Sequence, residues 1–137
     1  MHSTWIVVAD GRHARIFTTE DPYVLDLVPV RELTNHHHAP EHRRHPAVGH
    51  DHTHHHEEQK FAREIAEHIE HATVTHEVDR VVLVAPTKFT ADLDAALPTS
   101  AAHHIAARIH KDLTKVERTE LARHIRAELG IVVRTIA

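Results

Sequence analysis

The sequence predicts an α/β domain built on a mixed five-stranded sheet in the strand order 3-2-1-4-5. Three observations carry this reading. Two runs, Thr4 to Ala9 (TWIVVA) and Arg80 to Ala85 (RVVLVA), are almost wholly apolar, as strands covered by helices on both faces must be. Three short β-like runs come first, and helices alternate with strands afterwards. Antiparallel pairing followed by right-handed βαβ crossovers places the first and fourth strands side by side at the centre. The predicted element order is βββαβαβα.

The first strand ends at Asp10-Gly11, a strong turn signal, and His13 to Thr18 alternates well enough to return antiparallel. Glu20-Asp21-Pro22 marks the next turn. Tyr23 to Val30 (YVLDLVPV) is the expected third strand, with Pro29 suited to an edge position. The stretch Asn35 to His56 shows neither a two-residue nor a 3.6-residue apolar period and is expected to be a loop. Glu57 to Thr73 predicts a helix. Its stripe is Phe61, Ile65, Ile69 and Ala72, and Glu57 and Glu58 are expected in its first turn, where the macrodipole favours acids.

Lys88 to Leu97 predicts a short helix stopped by Pro98, with Phe89, Leu93, Ala96 and Leu97 inward. His104 to Leu113 is expected to be a strand from its Ile105, Ala107, Ile109 alternation, with a helix as the competing reading. Glu117 to Leu129 predicts a closing helix with Gly130 as its C-cap. The tail IVVRTIA is strand-like and has no place in this order.

At 137 residues the expectation is a single α/β domain, 1–137, with 35–56 as an inserted loop. The formal charge of −4 argues against broad binding to nucleic acid or anionic membrane. There is no cysteine, so thiolate chemistry and thiolate metal sites are excluded. No segment approaches a membrane span, and the N-terminus lacks a basic n-region, which makes a cytoplasmic protein the expectation. Histidine in general titrates near ~6.5, so protonating the nineteen in mild acid reverses the sign of the net charge.

Four blocks carry a family resemblance: WIVVADGRHARIF, QKFAREIAEHIE, RVVLVAPTKF, and KDLT at Lys111 to Thr114. Together they resemble the host attachment protein family, the bacterial "protein required for attachment to host cells", over Thr4 to about Leu129. That family is similar to the middle domain of archaeal and eukaryotic class-one peptide-chain release factors and Pelota. The resemblance implies an RNase H-like or ribosomal-protein-like α/β sandwich, in agreement with the strand order above. In release factors the loop after the third strand carries a Gly-Gly-Gln tripeptide. Here the histidine stretch fills that place, with Gly49 as its only glycine, so peptide release is not implied.

The candidate metal ligands are His36, His37, His38, His42, His45, His50, His52, His54, His55 and His56. His50, His52, His54 and His56 recur every second residue, so an extended chain aims them to one side, whereas a helix makes i, i+4 pairs of them. Imidazole with the nearby carboxylates of Asp51, Glu57 and Glu58 suits Zn, Ni, Cu(II) or Co. The plain alternative is a solvated low-complexity linker.

His68 and His71 are an i, i+3 pair whose ordinary reading is a solvated face paired with Glu64 and Glu67. His103 and His104 read as turn residues; His13 and His110 read as facing each other across the sheet or as exposed. Asp10 ends the first strand where RNase H-like nucleases keep a metal-binding carboxylate, with Asp92, Asp94 and Asp112 as further acids. The Asp-Gly turn explains Asp10 without catalysis. No phosphate-binding glycine loop, G-x-S-x-G or H-E-x-x-H is present.

The expectation is a non-enzymatic domain of the host-attachment type, its histidine loop binding a divalent transition metal. The alternative is a translation-associated, ribosome-binding protein. The metal ion, a ribosome or protein partner and a second copy of the chain are the candidate partners; a membrane is not.

Overall fold

β1 (Thr4–Ala9) is buried along its whole length because it sits at the centre of a five-stranded sheet. The computed structural model describes residues 3–20, 26–37 and 50–136, with the backbone alone described for 50–54 and 130–136. The sheet order is β3-β2-β1-β4-β5, as the sequence predicts. β1 pairs antiparallel with β2 (His13–Thr19) and parallel with β4 (Arg80–Val84), and β4 pairs parallel with β5 (Ile105–Ile109). The antiparallel edge strand β3 is Val28–Thr34.

Side chains of β1 alternate between two cores, which makes the domain a three-layer sandwich. Trp5, Val7 and Ala9 join α1 (His50–Val74), α2 (Thr87–Ala96) and the one-turn α3 (Thr99–Ala102). Ile6 and Val8 join Leu121 and Ile125 of α4 (Arg118–Ile136) on the other face. The predicted stripe of Phe61, Ile65, Ile69 and Ala72 is the buried face of α1, and Phe89 and Leu93 of α2 pack in the same cluster. β5 is shorter than expected, but its alternation is as read.

Four expectations need correction. The third strand does not run over Tyr23 to Val30. It begins at Val28, after Leu27 has been spent on the α4-side core, and continues through Arg31 and Glu32, which an exposed edge tolerates. Residues 23–25 of that expected strand lie outside the described residues.

The histidine stretch is not a loop throughout. α1 starts at His50, seven residues before the expected Glu57, so Glu57 and Glu58 do not occupy the first turn. An amphipathic stripe signals only where a helix meets a core, and polar residues ahead of that contact extend it silently. α4 likewise runs through Gly130 and takes up the strand-like tail to Ile136, so Gly130 is not a cap. One glycine costs a helix only about 1 kcal/mol, and Ile, Val and Arg around it keep the helical state open.

Lastly, α3 follows Pro98 where only a stop is expected. Pro98 halts α2 and, with its fixed φ, starts the next turn.

The carboxyl end of α1 shows how the chain turns into β4. The amide of His76 donates to the carbonyl of Thr73, and that of Glu77 to the carbonyl of Ala72, with His76 at φ 62°. This closes the helix in the Schellman manner with histidine where glycine is usual.

Asn35 ties the start of the histidine stretch to the fold. It is 7% exposed, and its Nδ2 donates to the carbonyls of Gly11 and Glu57 at 2.9 and 3.3 Å. Replacing only residues 38–49 with a Gly/Ser linker of equal length is therefore expected to preserve cooperative unfolding with a midpoint close to that of the native chain. Deleting 35–56 removes Asn35 and the start of α1, and is expected to lower stability by about 2 kcal/mol or more. Thermal unfolding of both variants checks this; equal midpoints would show that Asn35 ties nothing.

Candidate functional site

The described ends of the histidine segment converge on carboxylates. His37 follows Asn35, whose Oδ1 accepts from the His37 amide at 2.9 Å. This short side-chain turn aims the chain back toward α1. There the Nε2 of His37 meets Oε1 of Glu64 in a close contact. At the other end, Nε2 of His55 lies 3.3 Å from Oδ1 of Asp92 on α2. The Asp92 side chain is only 10% exposed, and its Oδ2 is buried without a hydrogen-bond partner. His36 and His56 are exposed. His38, His42 and His45 lie outside the described residues, and His50, His52 and His54 are described only as backbone of α1. Among the described residues no three His, Asp or Glu side chains stand close enough to hold an ion.

A carboxylate on one imidazole nitrogen fixes the tautomer and leaves the other nitrogen as a ligand atom. His37 and His55 each meet a carboxylate through Nε2. By spacing Glu64 is a helix partner of His68 and Asp92 a spare acid; neither role as a histidine anchor has a signal in the sequence, because the partners are 27 and 37 residues apart.

Asp10 is fully engaged in a structural role. Its Oδ1 accepts from the amides of Arg12 and His13 at 2.8 and 2.7 Å, and its Oδ2 from the Thr114 hydroxyl at 2.8 Å. That hydroxyl also lies 3.2 Å from Oδ1 of Asp112, and the Thr114 carbonyl accepts from Arg15 Nη1. The KDLT segment is thus a clasp over the end of β1. Burial raises the Asp10 pKa, but the two amides and the Thr114 hydroxyl outweigh it and hold the carboxyl below its ordinary value.

Of the further acids, Asp94 is spent on a two-pronged pair with Arg108 and Asp92 meets His55, whereas Asp112 shares the Thr114 hydroxyl with Asp10. Asp10→Ala is expected to cost about 3 kcal/mol at neutral pH. Because the folded-state pKa is depressed, this stabilisation is present above ~3.8 and lost as pH falls through the folded value. Urea unfolding at pH 7 and pH 3 checks it: the gap between native and variant must shrink in acid.

The other histidines are placed plainly. Nδ1 of His104 lies 2.8 Å from the Asp79 carbonyl, the turn role expected. His13 and His110 are exposed and belong to opposite halves of the sheet, so they do not meet. His68 departs from its expected pairing: its Nδ1 accepts from Arg31 Nη1 at 2.9 Å. Burial first, then the Arg31 charge, lowers its pKa, so the ring is neutral at pH 7.

This three-layer sandwich, with its 3-2-1-4-5 mixed sheet, is similar in fold to solved archaeal structures, a translation termination factor among them. An archaeal protein shares the fold over 98% of this chain and 40% of its own length, with a TM-score of 0.52 at 12% identity. An archaeal translation termination factor, aRF1, does so over 98% and 41%, with a TM-score of 0.50 at 12% identity. The chain thus spans about two fifths of the length of these structures, and at such identity the likeness is one of fold. The sequence matches the family described as protein required for attachment to host cells over residues 5–125, and the chain belongs to that family. No curated protein matches it. Among the described residues no helix is long and apolar enough to cross a membrane.

Proposed function

We propose that this chain is a non-enzymatic binding domain of the host-attachment family whose histidine segment takes up a divalent transition metal, zinc or nickel first among them. The observation that carries this is the seating of His37 on Glu64 and of His55 on Asp92, at the two described ends of the segment. Each carboxylate orients its imidazole, as carboxylates behind metal-bound histidines do. The density of imidazoles between them, and the absence of cysteine, favour borderline metals over soft ones.

The test uses untagged protein purified without an immobilised-metal column. Zinc titration by calorimetry is compared between the native chain and a variant with all ten histidines of 36–56 changed to asparagine. Native binding with loss in the variant supports the reading. Equal binding in the two ends it. A nuclease activity abolished by Asp10→Asn would end the non-enzymatic part.

A second reading has its own observation. The fold shared with the archaeal termination factor suits a translation-associated protein that docks on the ribosome without releasing peptide. Co-sedimentation with ribosomes that survives removal of metal would favour it over the first.

A further inference from the structure

At the carboxyl end of α1, away from the histidine segment, α1, β1 and β3 border a groove of about 330 Å³. That is at the lower end of the range for small-ligand sites. Trp5 and Ala72, 2% and 1% exposed, form its apolar floor, and Arg31, His68, Glu67 and Glu77 give it charge and polarity. The Arg31 guanidinium lies 6.0 Å from the centre of the Trp5 ring, and its Nη1 donates to Nδ1 of His68 at 2.9 Å. Since Nδ1 of His68 accepts, the proton of its neutral ring sits on Nε2, which remains a donor. Arg31 has no carboxylate partner among the described residues, and a guanidinium keeps several donors after serving one acceptor.

The groove therefore carries both signs of charge. A simple anion drawn to Arg31 meets Glu67 and Glu77, and a simple cation drawn to the two acids meets Arg31. A molecule with both charges at one end and an apolar body satisfies all of them. We propose that this groove binds a small zwitterion of the free amino-acid class. Its carboxylate is taken by Arg31 and the Nε2–H of His68, its ammonium by Glu67 and Glu77, and its apolar side chain lies along Trp5 and Ala72. A planar fork such as arginine is the donor best matched to a carboxylate.

Trp5 is the only tryptophan of the chain, so its emission reports on this groove. The full chain is titrated with L-phenylalanine, with benzoate as the carboxylate alone and with phenethylamine as the ammonium alone. The expected result is a saturable change with phenylalanine in the millimolar range, and affinity at least about tenfold weaker for either single-charge probe. Arg31→Gln should abolish the phenylalanine response and Glu77→Gln should weaken it. Both residues are exposed, so the variants should keep the native thermal midpoint. Absence of a saturable response, or a response to benzoate or phenethylamine equal to that for phenylalanine, would overturn the proposal. So would a response untouched by either substitution.

Discussion

Phe61→Ala should destabilise the domain by about 4 kcal/mol, the largest single effect expected in this chain. Phe61 is 0% exposed in the cluster where α1 meets β1 and α2, and its ring centroid is 6.1 Å from that of Phe89. Truncation loses the transfer energy of the ring and leaves a cavity that neighbours on a sheet and two helices cannot all close. Against a total stability of about 5–15 kcal/mol, that is a large part of what holds the fold together. Val74→Ala, at the exposed end of the same helix, should change stability by less than about 0.5 kcal/mol. Urea unfolding measures both. Equal costs for the two would mean that α1 does not pack on the sheet through the Phe61 face.

The second large effect is on metal affinity. Imidazole coordinates only when neutral, so protons compete for every ligand below ~6.5. Between pH 7.5 and 5.5 each histidine ligand should lose about tenfold, and a site built from three should lose about a thousandfold. Over the same interval the segment gains positive charge, with only Glu41 and Asp51 inside 35–56 to offset it. Calorimetric zinc titrations at the two pH values decide the matter. Equal affinity at both would assign the ion to carboxylates and remove the histidines from the site.

The sheet was legible because its centre is written redundantly. Thr4 to Ala9 and Arg80 to Val84 must be apolar on both faces, and their flanking helices must show a stripe, so several signals agree on one topology. Legibility fades wherever burial does. β3 has a free edge, so Arg31 and Glu32 serve in it, and the apolar run before it proved to be partly a lead-in. The first turns of α1 and the last of α4 lie beyond their core contacts, and their sequences mark no boundary.

The candidate site follows the same rule. The histidines are conspicuous by composition, but the residues that seat them, Asn35, Glu64 and Asp92, are single polar positions far away in sequence. The Arg31–His68 contact, 37 positions apart, is equally silent, because a cross-element hydrogen bond has no period.

The placement of Pro29 bears on how this protein meets copies of itself. An edge strand is a template for one more strand, and a long apolar edge invites unregulated stacking. Here the outer strand contains a residue with no amide hydrogen, its pairing with β2 slips at Ile16/Phe17, and Arg31 and Glu32 follow side by side. An incoming strand would find an interrupted row of donors and two opposite charges to bury. Replacing Pro29 would remove one of these three obstacles on the side of the sheet farthest from β5, leaving the register slip and the paired charges to oppose an added strand.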